Sequence, residues 1–131
     1  MRNMTKILGL LFLLCLFAAG QSSAADATRT FFHGVNLPQA GFAGQVLPGI
    51  HGQHYQWHAP SDVDMYLGMG ANILRIPFLW ERMQPKLFES LKPEELAFLD
   101  ALVAKAAERK VTIIVDVHNY GMYYGKVIGS K

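Results

Sequence analysis

The run Val111-Thr112-Ile113-Ile114-Val115-Asp116-Val117-His118 decides the fold class. It is nearly continuous in β-branched residues, which is typical of a strand buried on both faces of a parallel sheet. Two earlier apolar runs, Phe31–Leu37 and Ile73–Phe78, have the same character. The sequence therefore predicts three parallel strands, with the run from Val111 to His118 as the third.

Helical segments are predicted between these strands. Pro93 begins the longer one, acidic residues follow it and Arg109 lies at its end, which are start and stop signals of a helix. A shorter helix is predicted over 61–70, with Ser61 as its N-cap. Alternating strands and helices predict an α/β fold with right-handed parallel connections. A barrel and a doubly wound sheet both fit this pattern.

The alternation of side chains along a strand brings polar residues to one face of the predicted sheet. Successive residues face opposite sides, so Asp116 and His118 share a face. The same rule places Arg75 and Asn36 on the side away from the helices. Charged groups in such a place are costly to bury unless they are paired. The opposite face of the third strand is aliphatic and is expected to meet the helices: Ile113, Val115 and Val117.

Residues 1–25 have the pattern of a secretory signal peptide. Arg2 and Lys6 precede the apolar stretch Ile7–Ala19, and small residues follow it. The stretch is too short to cross a hydrocarbon core, which needs about 20 residues. We therefore expect a secreted, extracellular protein that is cleaved near Ala25, so that residues 26–131 form the mature chain. A cut one residue earlier fits almost as well.

Cysteine and charge limit the classes of partner. Cys15 is the only cysteine and lies within the predicted leader, so the mature chain is expected to depend on its core rather than on disulfides. The chain has 12 basic and 10 acidic residues, and loss of Arg2 and Lys6 leaves it close to neutral. No basic stripe favours nucleic acid or, after cleavage, a membrane as a partner.

Three motifs at the ends of the predicted strands carry a family resemblance. They are Gly34-Val35-Asn36-Leu37, then Leu74-Arg75-Ile76-Pro77-Phe78-Leu79-Trp80-Glu81-Arg82-Met83-Gln84-Pro85, then Asp116-Val117-His118-Asn119-Tyr120-Gly121. In this order the motifs resemble the start of an endoglucanase of glycoside hydrolase family 5. The resemblance implies a (β/α)8 TIM barrel. A closed barrel has eight units in roughly 250 residues, so the three units here predict a truncated, N-terminal part.

The resemblance also implies an activity and a substrate. Family 5 enzymes hydrolyse a β-glucan polysaccharide or oligosaccharide by a retaining mechanism with two glutamates and no cofactor. In the family these glutamates follow the fourth and seventh strands, so we expect residues 1–131 alone to be inactive. Glu81 matches neither position. Another β-glycanase of the family, such as a mannanase or xyloglucanase, and a non-catalytic carbohydrate-binding protein are the alternatives.

Supporting and substrate-binding residues follow from the same motifs. Arg75 matches the arginine that holds the nucleophilic carboxylate, although an ion pair with Asp116 is the structural alternative. His118 matches the histidine that contacts sugar hydroxyls, with a satisfied buried histidine as its alternative. The expected substrate contacts are Asn36, Trp80, Asn119 and Tyr120. For the last three, packing within a loop is an equally good interpretation.

The segment Pro38–Pro60 is long for a connection and is rich in glycine and proline. His51, His54 and His58 lie at three- and four-residue spacing, but Gly52 and the lack of cysteine or a nearby carboxylate disfavour a metal site. No metal is predicted. We expect this loop either to bind sugar or to cover the barrel.

Overall fold

The computed structural model describes residues 31–130, so the predicted signal peptide lies outside the described residues. Its sheet has three parallel strands in the order β1-β2-β3, which are Gly34–Asn36, Ile73–Phe78 and Thr112–Val117. The predicted parallel sheet is confirmed, but β1 is shorter than the apolar run that contains it. The side chain of Asn72 explains this, because it binds the backbone N–H of His33 and the carbonyl of Phe31.

The helices lie where an α/β fold requires them, but the helix predicted over 61–70 differs from the prediction at both ends. They are α1 (Pro60–Gly68), α2 (Trp80–Met83) and α3 (Pro93–Arg109), with a 3-10 helix at Pro38–Gly41. The prediction of α3 is confirmed. Ser61 as the N-cap of α1 is wrong, because the helix follows Ala59 and the Asp62 carboxylate accepts the Ala59 N–H at 3.3 Å. None of the helices described between residues 31 and 130 is long and apolar enough to span a membrane.

A small antiparallel hairpin follows β3 and was not predicted. Its strands are β4 (Met122–Tyr123) and β5 (Lys126–Val127). Tyr124 and Gly125 form the two-residue turn, and both have positive φ angles, 46° and 73°. Two left-handed residues are what a type I′ turn requires, and its twist matches that of the paired strands. The loop after β3 is therefore an ordered structure.

The core lies on the helix side of the sheet. Leu74, Ile76 and Phe78 of β2 are almost completely buried there, together with Val63 of α1 and Leu102 of α3. The strand parity of β2 is thus as predicted, since Arg75 lies on the opposite face.

The aliphatic face of β3 is covered only at its start. Ile113 packs against the core, whereas Val115 and Val117 are 45% and 49% exposed. The expectation that all three meet helices is therefore wrong for the last two within residues 31–130. The reason is geometric: α3 packs against β3, but no helix follows β3 among the described residues.

Candidate active site

Arg75 is the centre of a polar cluster at the carboxyl ends of the three strands. Its Nη1 donates to Asn36 Oδ1 at 3.1 Å, and its Nη2 donates to Asp116 Oδ2 at 2.5 Å. The parallel register places Asn36 directly beside Arg75, and Asp116 two residues further along β3 than the partner of Arg75. Each strand therefore contributes one member. The ion pair of Arg75 with Asp116, which the sequence left as an alternative, is present.

His118 extends this cluster beyond the end of β3. Its Nδ1 lies 3.0 Å from Asp116 Oδ2 and 3.1 Å from Arg75 Nη2, and its Nε2 lies 2.9 Å from the Tyr120 hydroxyl. With the proton on Nδ1, the ring donates to Asp116 and accepts from Tyr120. With the proton on Nε2, it accepts from Arg75 and donates to Tyr120. In both tautomers the ring is held by two neighbours.

Tyr120 forms the exposed edge of the cluster. Its side chain is 79% exposed, and its ring meets the His118 ring edge-on with centroids 4.6 Å apart. Its backbone has a φ of 51°, a left-handed conformation that L residues adopt at a cost. Four of the predicted site residues therefore lie in one connected group: Asn36, Arg75, His118 and Tyr120.

Asn119 and Trp80 are not in this group. Asn119 is 8% exposed, and its amide is used within the protein: Oδ1 accepts from Trp80 N at 2.7 Å, and Nδ2 donates to Glu81 Oε2 at 2.6 Å. The Trp80 ring donates to Gln84 and lines an apolar cavity of about 340 Å³ beside Val117. Contact of either residue with substrate remains a prediction.

Glu81 is a buried carboxylate that the sequence analysis did not assign. It is 2% exposed, and its two oxygens accept from Asn119 Nδ2 and from Tyr124 N, at 2.6 and 2.7 Å. Both donors come from the loop after β3, whereas Glu81 lies in the short helix after β2. Glutamate is common in the first turn of a helix, so the sequence does not indicate that Glu81 binds the loop after β3.

Hydrogen bonds to two charged residues, Glu95 and Arg82, hold the loop between β1 and α1, and neither residue was predicted from the sequence to do so. Glu95 of α3 is 1% exposed and accepts from the Tyr55 hydroxyl at 2.6 Å and from Trp57 Nε1 at 2.7 Å. Burial, reinforced by the bond to Glu95, raises the pKa of Tyr55 above its usual range. The Arg82 guanidinium donates to four backbone carbonyls of the loop, those of Ala40, Phe42, Ala43 and Pro48. Burial lowers the pKa of Arg82.

The three histidines of this loop have separate partners. His54 Nδ1 accepts from Ile50 N at 3.0 Å, and His51 Nε2 accepts from Trp57 N at 3.3 Å. His58 Nδ1 lies 2.7 Å from Asp62 Oδ2. The tip of the loop, Gly52 and Gln53, is exposed. Each ring therefore contributes to local packing or turns in the described structure.

Sequence comparison agrees with this architecture. The sequence model described as Cellulase (glycosyl hydrolase family 5) matches residues 32–131. The probable endo-beta-1,4-glucanase B of Neosartorya fischeri is 35% identical over 117 residues, which cover 86% of this chain and 36% of that protein. The endo-beta-1,4-glucanase B of Emericella nidulans is 32% identical over 123 residues, which cover 90% of this chain and 37% of that protein.

Solved structures give the same result. An endo-beta-1,4-glucanase from Xanthomonas axonopodis pv. citri is similar with a TM-score of 0.72 and 39% identity, covering 78% of this chain and 32% of that one. The endoglucanase Cel5A of Pseudomonas stutzeri, solved in complex with cellobiose, is similar with a TM-score of 0.71 and 38% identity, covering 76% and 30%.

The parallel strands, the helices on one face and the polar residues at the carboxyl ends define part of a (β/α)8 barrel. The chain belongs to glycoside hydrolase family 5, the cellulase family. It spans little more than a third of the length of the curated relatives it matches.

Proposed function

We propose that this chain supplies the first three β/α units of the catalytic barrel of a retaining endo-β-1,4-glucanase. The observation that carries the proposal is the group formed by Arg75, Asn36, Asp116 and His118 at the ends of three neighbouring strands. Active sites of barrel enzymes are built at this face. The endoglucanase names of the relatives and solved structures support the choice of substrate class.

Arg75 would act on the nucleophile of this reaction. A guanidinium carries five N–H donors, and the bonds to Asn36, Asp116 and His118 leave donors for another carboxylate. A carboxylate held by a guanidinium stays ionised, which a nucleophile requires. In a retaining glycosidase this carboxylate and the acid/base lie about 5 to 5.5 Å apart. Both glutamates would come from sequence beyond these three units.

His118 and Tyr120 would bind the sugar next to the bond that is cleaved. The bond between them fixes the ring of His118 and leaves the Tyr120 face open to solvent. A flat aromatic surface beside a polar ring is suited to a pyranose, which has apolar C–H faces and polar hydroxyl edges. Asn36 is held by Arg75 on the same face and would complete this side of the site.

The test is the activity of the protein expressed from its complete natural coding sequence. We expect new reducing ends from carboxymethylcellulose, an early fall in viscosity as an endo-acting enzyme gives, and a first product with retained β configuration by NMR. β-Mannan and xyloglucan are the control substrates. Preference for either would assign another β-glycanase activity, and binding of glucan without hydrolysis would assign a carbohydrate-binding protein. Both outcomes contradict the proposal.

We further propose that residues 1–25 direct secretion. The support is the order of Arg2 and Lys6, the apolar stretch and the small residues after it. N-terminal sequencing of the protein recovered from the culture medium should begin at or next to Asp26. Retention of Met1 in the exported protein, or recovery only from within the cell, would contradict this.

A further inference from the structure

Glu81 and Asn119 join the two loops that border the candidate site. Asn119 is the second residue after β3, and its side chain binds both the backbone and the carboxylate of the segment after β2. Tyr124 N donates to the second oxygen of Glu81, and Asn119 Nδ2 also binds the Met122 carbonyl of its own loop. We call these contacts among Trp80, Glu81, Asn119 and Tyr124 the loop clasp.

The clasp has no cation among its bonded partners in the described part of the chain. The Glu81 carboxylate is 2% exposed and is held by two neutral donors, both from the loop after β3. A buried carboxylate that loses its donors is strongly penalised, so the two loops cannot separate without breaking a satisfied buried network. Tyr123 and Tyr124 add two hydroxyl bonds to carbonyls of the other loop, those of Gln84 and Pro85.

His118 is covalently next to Asn119. On one side its backbone N–H donates to the Phe78 carbonyl at 2.8 Å, and on the other side the chain is fixed by the clasp. Tyr120 follows in a left-handed conformation, and its hydroxyl meets the His118 ring. The bonds of Asn119 therefore fix the chain between His118 and Tyr120, the two residues whose side chains meet at the exposed edge of the cluster.

We propose that Glu81 and Asn119 are positioning residues of the sugar site: they hold His118 and Tyr120 in the geometry that binds the glycan, and Asn119 does not itself touch sugar. This rests on the proposed function for its substrate, a β-linked glycan. It replaces the contact role expected for Asn119, because every polar atom of its amide has a protein partner and its side chain is almost buried.

Exchanging the carboxylate of Glu81 and the amide of Asn119 between the two positions tests this proposal. In Glu81→Gln, the NH₂ group of the new amide faces another donor, either Asn119 Nδ2 or Tyr124 N. In Asn119→Asp, two carboxylates face each other. Each single variant breaks the clasp. In the double variant the new amide at position 81 donates to the new carboxylate at position 119 and accepts from Tyr124 N. That carboxylate also accepts from Trp80 N, so the cross-loop bonds return, with the bond between the two side chains reversed in direction. Only the bond to Met122 is lost.

The measurements use the protein expressed from its complete natural coding sequence. We expect kcat/KM on a soluble β-glucan, per folded molecule, to fall at least about tenfold in each single variant and to return within about fivefold of the parent in the double variant. The ¹⁵N shifts of the His118 ring should move in both single variants and return in the double one. Glu94→Gln, an exposed first-turn glutamate of α3, is the matched control and should change neither quantity.

Different failures have different meanings. If the single variants had lower melting temperatures but the kcat/KM and His118 shifts of the parent, the clasp would contribute only to stability, and the proposal would be overturned. A double variant that regains the His118 shifts but not kcat/KM would show that the Asn119 amide touches sugar, which also overturns it. A protein without glycanase activity would overturn the proposed function, while the His118 shifts would still decide the positioning role.

A measurement on the parent protein covers the case in which the single variants do not fold. The backbone amides of Trp80 and Tyr124 donate to the clasp, so they should exchange with D₂O more slowly than the exposed amides of Gly121 and Gly125. Equal exchange at the two pairs of sites would show that the clasp does not persist in solution, and the proposal would fail.

Discussion

The planar guanidinium of Arg75 binds an amide, a carboxylate and an imidazole from three directions. Lysine in its place would keep the charge but lose the fork of donors. In the protein expressed from its complete natural coding sequence, if it has the proposed activity, we expect Arg75→Lys to lower kcat by roughly 10²-fold, the scale of one lost preorganised electrostatic contact, with little change in KM. Initial rates on a soluble β-glucan measure this. A kcat within a factor of about three of the parent, less than about 0.7 kcal/mol, would mean that Arg75 is only a structural ion-pair member.

His118 is expected to give a different kinetic result. Its exposed Nε2 edge lies toward Tyr120, where we place the sugar, so His118→Ala removes contacts present before and during the reaction. We expect a clear rise in KM together with a fall in kcat, from the same rate measurements. Tyr120→Phe is the matched comparison, because it removes the hydroxyl bonded to His118 but keeps the aromatic face. If His118→Ala changed kcat alone, the assignment to sugar binding would be wrong.

The residues of the cluster could be predicted from the sequence because a strand has a period of two. Arg75 and Asp116 lie within regular strands, so parity alone placed them on the face away from the helices. At Asn119, two residues past the end of β3, that rule no longer applies. Asn119 was predicted beside the sugar, but its direction is set by bonds to Trp80 and Glu81, which are distant in sequence. Glu81 has no local signal, since its partners lie 38 and 43 residues away.

At the scale of elements, β2 and α3 could be predicted because propensity, pattern and end signals agree there. The length of β1 could not, because a side chain from the next connection, Asn72, takes the backbone groups of His33 and Phe31. The hairpin after β3 depends on a left-handed Tyr124, and tyrosine is not a residue that indicates a type I′ turn.

The long loop leads to a prediction about alkaline stability. The pKa of Tyr55 is raised in the folded state by burial and by the bond to Glu95, so the folded protein keeps the phenol proton at a pH where the unfolded chain has lost it. This stabilisation is complete below about pH 10 and is lost as the pH rises from there toward the folded-state pKa. Tyr55→Phe should therefore be less stable at pH 8 but lose less stability between pH 10 and 11.

Urea unfolding of the complete protein at pH 8, 10 and 11 measures this difference. Tyr120→Phe changes an exposed ring and is the matched control. A parent and a Tyr55→Phe variant with parallel pH dependence above pH 10 would contradict the role given to the Tyr55–Glu95 bond.

At the scale of the whole molecule, residues 26–131 as a separate polypeptide should not hydrolyse glucan. The polar cluster contains one carboxylate, Asp116, and it is bound by Arg75 and His118 rather than placed opposite a second acid. A retaining mechanism needs two carboxyl groups, one on each side of the bond that is cleaved. Purified polypeptide should release no reducing sugar from carboxymethylcellulose above a buffer control. Release that rises in proportion to the amount of polypeptide would disprove this.

The same polypeptide should also associate or unfold. Within residues 31–130 the outer edges of β1 and β3 have no paired strand, and Val35, Ile114, Val115 and Val117 are 39–49% exposed. Open edges with apolar side chains favour pairing with other chains. Size-exclusion chromatography should show oligomers or an expanded monomer. A compact monomer that melts cooperatively and protects the amides of all three strands would refute this expectation.

The fastening of the long loop by Arg82 and Glu95 has a practical consequence for protein engineering. Extra residues in a surface loop cost little entropy, so connections usually accept inserted peptides. Here the stretch from Ala40 to Pro48 offers its carbonyls to a buried guanidinium, and an insertion there would pull at least one of them away. The exposed tip at Gly52 and Gln53 carries no such bond to Arg82 or Glu95. We therefore expect an epitope tag or a grafted recognition peptide to disturb the bonds of Arg82 less between these two residues than between Ala40 and Pro48.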